Sequence, residues 1–175
     1  MTELANRVRS LVRDVPDFPK KGIVFKDITP VLRDGATFDR VIGAMEAYGR
    51  KRGADLVAGI ESRGFIFGAA LAARLEVGFA PIRKLGKLPW KTVRQSYDLE
   101  YGKDTLEIHK DAVGKRRRVL VVDDVLATGG TLAGSCRLVE RVGGVVAGCI
   151  CLMELSFLNG LKKLKSRDFY SIVRY

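Results

Sequence analysis

The chain has 175 residues, 47% hydrophobic and 29% charged, a balance that excludes a disordered chain and suits one globular domain with a core of its own. Thirty-one Lys and Arg stand against 20 Asp and Glu, a formal charge of +11, which favours phosphate-rich partners, small or polymeric. No apolar run is long enough to cross a bilayer as a helix, and Glu3, Arg7, Arg9, Arg13 and Asp14 are scattered through the first fifteen positions. A membrane span and an export leader are therefore not expected, and a cytoplasmic location is.

Leu4, Val8, Leu11 and Val12 recur at helical spacing and predict a short amphipathic helix. Pro16, Pro19 and Pro30 bracket an irregular or extended segment. Thr37 is placed to cap a helix whose Phe38, Val41, Ile42, Met45 and Tyr48 share a face, with Gly53 to stop it. Strand and helix then alternate: a buried strand over 55–60, an Ala-rich helix over 64–76, and a short strand over 78–82. Two strands around a turn at Gly102 follow over 93–109. Residues 119–122 are apolar on both faces, as in a central parallel strand. A helix over 129–142 and a strand over 145–152 complete the pattern. Such alternation implies an α/β fold with an open, mostly parallel sheet flanked by helices; it leaves strand order undetermined. Cys136, Cys149 and Cys151 form no C-x-x-C pair and His109 is the sole histidine. A zinc site is not expected, and the cysteines read as small buried hydrophobes of a reducing compartment.

Residues 119–131 carry the chemistry. A buried strand leads into Asp123-Asp124, then through Ala127-Thr128-Gly129-Gly130-Thr131 into a helix. Ligands of open parallel sheets sit beyond the strands' carboxyl ends, where these acids stand. A glycine-rich turn at a helix N-terminus offers free N–H groups to a phosphate, and Thr128 and Thr131 add hydroxyl donors. Acids beside a phosphate cradle make sense when the ligand brings hydroxyl groups or a hydrated Mg²⁺ between them. A sugar phosphate does both. Neither a Walker A nor a G-x-G-x-x-G pattern is present.

The segment from Asp123 to Thr131 resembles the signature of the type I phosphoribosyltransferases. Five further blocks make the chain similar, over nearly its whole length, to the adenine phosphoribosyltransferase family. They are Pro16-Asp17-Phe18-Pro19, residues 22–32 (GIVFKDITPVL), Gly59-Ile60-Glu61-Ser62-Arg63-Gly64-Phe65, residues 83–89 (RKLGKLP) and Tyr97-Asp98-Leu99-Glu100-Tyr101-Gly102. The resemblance implies one phosphoribosyltransferase domain over 1–175, with a base-binding hood over 1–33 and a flexible lid hairpin over 88–109. It implies transfer of phosphoribose from 5-phosphoribosyl-1-pyrophosphate to adenine, giving AMP and pyrophosphate in purine salvage. Mg²⁺, held mainly by substrate and water, would be the cofactor, and a homodimer the assembly.

Roles follow by position in the matching motifs. Asp123 and Asp124 would accept the ribose hydroxyls, and Ala127, Thr128, Gly129, Gly130 and Thr131 would hold the 5-phosphate. Ser62 and Arg63, beside a cis peptide at Glu61–Ser62, would clamp pyrophosphate, with Arg83, Lys84 and Lys87 adding charge from the same or the neighbouring subunit. Glu100 would be the catalytic acid on the purine and Tyr101 part of the lid. Val24, Phe25, Lys26 and Leu155 would surround adenine. The basic run over 115–118 reads as a solvated turn. Two other readings remain: another purine base as acceptor, or a regulator of the same fold that binds nucleic acid. The retained lid motif and the absence of an appended DNA-binding domain weigh for the enzyme and against a nucleic-acid partner.

Overall fold

The computed structural model describes residues 2–98 and 103–175. Helix α1 (Glu3–Leu11) opens on Thr2, whose hydroxyl accepts the Ala5 N–H, and it buries Ala5 and Val8. The proline-bracketed segment folds back on itself: β1 (Arg13–Pro16) and β2 (Val24–Asp27) pair antiparallel as a separate two-stranded sheet. A short α2 (Thr29–Arg33) leads into α3 (Gly35–Lys51). Asp34, not Thr37, caps α3, its carboxylate accepting the Thr37 N–H at 2.9 Å. Aspartate is as good a cap as threonine, and the helix starts three residues earlier than the sequence suggests.

The main sheet contains β3 (Leu56–Ile60), β4 (Gly78–Lys84), β5 (Thr92–Asp98), β6 (Lys103–His109), β7 (Arg118–Leu126), β8 (Val145–Glu154) and β9 (Phe169–Arg174). Its order is β5-β6-β4-β3-β7-β8-β9. The run from β4 to β9 is parallel, while β6 and β5 extend it antiparallel. Helix α4 (Arg63–Leu75) joins β3 to β4 and α5 (Gly130–Arg141) joins β7 to β8. Strand β7 runs through both acids and ends at Leu126, longer than residues 119–122 alone predict. The tail after β8, through two 3₁₀ turns (Ser156–Leu158 and Gly160–Leu164) to β9, has no counterpart in the sequence pattern.

Alternation along β7 explains the layers. Val119 and Val121 point to one face, where they meet Leu132, Cys136 and Val139 of α5. Leu120 and Val122 point to the other, toward Val8, Met45, Phe67 and Leu71 of α1, α3 and α4. Each such side chain, fully buried, contributes roughly 1.5–3 kcal/mol relative to exposure. Cys136, Cys149 and Cys151 lie in the α5-facing core, as expected of small hydrophobes, with the first two sulfurs 3.3 Å apart.

Candidate active site

β3 and β7 are neighbours, yet their crossovers leave in opposite directions, β3 through α4 to β4 and β7 through α5 to β8. Right-handed crossovers then put α4 and α5 on opposite faces and open a crevice between the strand ends. A cavity of about 480 Å³ lies there, lined among others by Glu61, Ser62, Arg63, Asp123, Asp124, Ala127, Thr128, Gly129 and Thr131. Neither helix start has a side-chain cap: Ser62 precedes α4 and Gly129 precedes α5, and neither side supplies the usual oxygen. Two sets of unpaired N–H groups thus converge on one hollow, an environment that attracts two anionic groups.

Close backbone approach shapes both loops. A Cβ on Gly64 would stand 2.8 Å from the Val122 carbonyl oxygen and 3.0 Å from Asp123 Oδ1, so only glycine lets the first turn of α4 lie against the acids. Gly129 has φ +78°, and a Cβ there would meet the Gly160 carbonyl oxygen at 2.2 Å. From the other side, a Cβ on Gly160 would come 2.0 Å from the Ala127 carbonyl oxygen. The second 3₁₀ turn therefore underlies the 127–129 loop. The Glu61–Ser62 peptide is cis.

Asp123 and Asp124 are both buried. Burial pushes the Asp123 carboxyl well above its usual range, and the adjacent Asp124 charge adds to the effect. Asp124 is also raised by burial, with the Arg63 guanidinium opposing. Asp123 Oδ1 accepts the Asp124 N–H at 2.9 Å. Asp124 Oδ2 lies 3.1 Å from Arg63 Nη2 yet accepts no aligned hydrogen bond. It is a buried acceptor suited to a hydroxyl donor or to a water of a hydrated cation. No cluster of three or more His, Cys, Asp or Glu side chains fit to hold a metal occurs among the described residues. The unpartnered Asp124 Oδ2 fits a water of a Mg²⁺ carried by substrate oxygens.

The cations of the 83–87 segment are paired with carboxylates that lie outside it. Glu61 pairs with both Arg83 and Lys87, at 2.8 and 2.7 Å. Burial raises the Glu61 pKa, but the Lys87 and Arg83 hydrogen bonds outweigh it and hold the carboxyl below its usual range. Lys84 lies 3.3 Å from Asp104 Oδ2, which also accepts the Tyr97 hydroxyl at 3.3 Å. Buried Glu107 accepts the N–H groups of Gly86, Lys87 and Leu88 at 3.0, 3.1 and 3.1 Å. Three carboxylates remote in sequence thus position this basic loop. Asp104 and Glu107 stand in no local motif and show only in the alternation of β6, while Glu61 stands in the 59–65 block, which does not reveal its partners. Lys84 and Lys87 line the cavity, with Tyr97, Val125 and Leu126 of the matching blocks and Asp104 and Leu132 from outside them as further walls to which the motifs assign no role. Arg83 stands behind it on Glu61.

Gly130 is buried at the start of α5 and faces a neighbouring hollow. Val24, Phe25, Lys26 and Leu155 do not line the cavity. Arg63, which does, places its guanidinium 5.0 Å from the Phe25 ring centre. Lys26 Nζ pairs with Asp14 at 2.6 Å. Leu155 is half-buried just past the end of β8, donating its N–H to the carbonyl of Leu126, the last residue of β7, at 2.9 Å. Glu100 and Tyr101 lie outside the described residues. Lys115 and Arg116 are exposed in a turn, as expected, whereas Arg117 and Arg118 tie it to Asp55, Arg52 and Gly53.

A family model described as phosphoribosyl transferase domain matches residues 29–173. An adenine phosphoribosyltransferase of Roseiflexus castenholzii is 54% identical over 94% of this chain and 96% of its own. One from Anaeromyxobacter dehalogenans is 55% identical over 98% of this chain and 100% of its own. The crystal structure of the Thermoanaerobacter pseudethanolicus adenine phosphoribosyltransferase superposes with a TM-score of 0.95 at 53% identity, covering 98% of this chain and 99% of that one. The Saccharomyces cerevisiae enzyme, complexed with adenine and an imino-altritol bisphosphate, gives 0.93 at 36% identity, covering 98% and 99%. Two helix starts fit for anions, a buried acid pair between them, and full-length likeness at this level lead to one assignment: the chain belongs to the adenine phosphoribosyltransferase family.

Proposed function

We propose that the chain transfers the phosphoribosyl group of 5-phosphoribosyl-1-pyrophosphate to adenine, forming AMP and pyrophosphate. The carrying observation is the convergence of two uncapped helix starts on one cavity with Asp123 and Asp124 between them. The 127–131 loop at α5 suits the 5-phosphate, and Ser62 and Arg63 at α4 suit the pyrophosphate. A ribose bridging the two puts its hydroxyls against the acids. Binding there gives Asp124 Oδ2 the donor that its burial otherwise denies it, and the negative charge of the acid pair stabilises an oxocarbenium-like sugar as the C1–O bond breaks.

Arg83, Lys84 and Lys87 stabilise the departing pyrophosphate by exchanging Glu61 and Asp104 for phosphate oxygens. Asp123 and Asp124 would meet the hydration shell of a Mg²⁺ brought by the substrate, which would supply neutralisation of part of the leaving-group charge. Val24, Phe25, Lys26 and Leu155 enclose adenine, Phe25 by stacking and its neighbours by main-chain groups. Glu100 donates a proton or hydrogen bond to the imidazole nitrogen opposite the one that attacks C1. The hairpin over 88–109, Tyr101 included, closes over the site to exclude water. Residues 1–33 serve as the hood of a single 1–175 domain, which works as a cytoplasmic homodimer.

Incubating the protein with adenine, the pyrophosphate donor and Mg²⁺, beside guanine, xanthine and hypoxanthine, should yield AMP far faster than the other nucleotides. Folded protein that makes no AMP overturns the reading. Glu100→Ala should reduce kcat by about 10²-fold, within the usual range for a general acid, while the donor KM changes little.

A further inference from the structure

β5 is the terminal strand of the main sheet and packs against α5. Arg94 and Ser96 are two residues apart on β5, so they share a face with about 6.6 Å between them. Arg137 and Arg141 are one turn apart on α5, about 6 Å along its axis. Two hollows follow one another along this strand–helix pair. The first, about 720 Å³, is walled by Trp90, Lys91, Arg94, Lys110 and Arg141. The second, about 440 Å³, is walled by Ser96, Tyr97, Arg137, Lys163 and Lys165.

No aspartate or glutamate lines either hollow. Arg94 alone among these cations has a carboxylate in range, Glu107 at 3.6 Å; the others make no ion pair among the described residues. Several arginines elsewhere on the surface are matched, as in Arg50–Glu46, Arg74–Asp39 and Arg167–Glu140. A row of unmatched cations repels itself and is relieved by a polyanion. At one end stands the sole tryptophan of the chain, Trp90, with 63% of its surface exposed.

We infer that this groove binds single-stranded nucleic acid, its cations along the phosphate backbone and Trp90 stacked on a base. Cations spread along a groove, Arg137 and Arg141 about 6 Å apart on α5, follow a flexible phosphodiester chain, and an exposed indole offers a face that any base can use. A paired duplex keeps its base faces covered, and an acidic peptide or lipid surface has no base to stack. The inference goes beyond the transferase reading and does not depend on it. It also reverses the weight that sequence placed against a nucleic-acid partner. That weight rested on the retained lid motif and the absence of an appended DNA-binding domain, whereas the groove gathers Lys91, Arg94, Lys110, Arg137, Arg141, Lys163 and Lys165 from separate segments that no local motif joins.

The test titrates the full chain with twenty-nucleotide oligouridylate and oligothymidylate while following Trp90 emission and oligonucleotide anisotropy. Saturable quenching is expected, with log affinity falling linearly in log salt by about 0.7 per phosphate contacted. The double variant Arg137→Glu/Arg141→Glu should bind at least about tenfold more weakly with a flatter salt slope, its thermal unfolding still cooperative. The neutral pair Arg137→Gln/Arg141→Gln repeats the comparison without charge reversal, with a smaller loss of about fourfold or more. Trp90→Leu should weaken binding by about fivefold or more at an unchanged slope, the stacking part of the affinity. Preference between the two oligonucleotides distinguishes RNA from DNA as the source. Absence of quenching, variants that bind like the parent, or polyglutamate or anionic vesicles bound as tightly as the oligonucleotides each overturn the inference.

Discussion

Asp123 holds a position that costs the folded protein stability. It lies buried beside a second carboxylate, and both conditions push its pKa up. The folded state therefore retains a proton that the unfolded chain gives up near pH 3.9. Folding stability contributed by this group falls as pH rises from that value through the raised folded pKa, and above it the cost is fully present. Asp123→Asn removes the dependence. Its Tm should exceed the parent's at pH 7 and converge with it near pH 4, while AMP formation drops by about 10²-fold or more, as expected when a group acting on the transition state is lost. Paired melting curves across pH check the first part and initial rates the second. Equal Tm differences at both pH values would show that Asp123 carries no such burden. This pair was legible in the sequence because two acids, a glycine turn and a helix start are contiguous. Glu61, Asp104 and Glu107 were not, since each acts on a partner 20 or so residues away and only the fold brings them together.

At the level of elements, the loops are held from beneath. Gly160 belongs to a 3₁₀ turn that sequence pattern does not announce, yet its backbone presses on the 127–129 loop. Gly160→Ala forces a methyl group into the Ala127 carbonyl, a backbone atom that cannot swing aside, so the loop itself must move. The donor KM should rise at least about tenfold, in line with the sensitivity of catalysis to misplacement of about 1 Å, with the adenine KM nearly unchanged. Glu107 does the same work for the segment bearing Lys87. Glu107→Ala leaves three N–H groups without their acceptor and should cost about 2 kcal/mol. Faster amide exchange at Gly86, Lys87 and Leu88, measured beside the denaturation midpoint, checks it; exchange unchanged at all three would contradict it. Strands β3, β7 and β8 were readable because they are apolar on both faces, and α3 to α5 because their apolar faces recur at helical spacing. β1 and β2 were hidden by prolines, and β9 by a tail with no marked period.

Across the whole molecule, the last strand fastens the first elements. Tyr175, following β9, is half-buried, and its ring lies between two cations: the Arg9 guanidinium of α1 at 4.7 Å and Lys26 Nζ of β2 at 4.5 Å. Its N–H donates to the Glu154 carbonyl at 2.9 Å, and its own carbonyl accepts the Ser156 N–H at 2.9 Å. One ring thus joins the proposed base-binding hairpin, the first helix and the segment next to Leu155. Cation–π contacts are worth about 0.5–2 kcal/mol each according to burial, enough to set where β2 rests while leaving the sheet unaffected. Tyr175→Leu keeps apolar bulk but removes the aromatic face. The adenine KM should rise about fivefold, while kcat and the donor KM stay within about twofold, because Asp123, Arg63 and the 127–131 loop do not touch this ring. Tyr175→Phe restores both cation contacts and should return the adenine KM to the parent value. An equal rise in both variants would assign the effect to the hydroxyl, and a parallel rise in both substrates' KM would assign it to general loosening instead of hood placement.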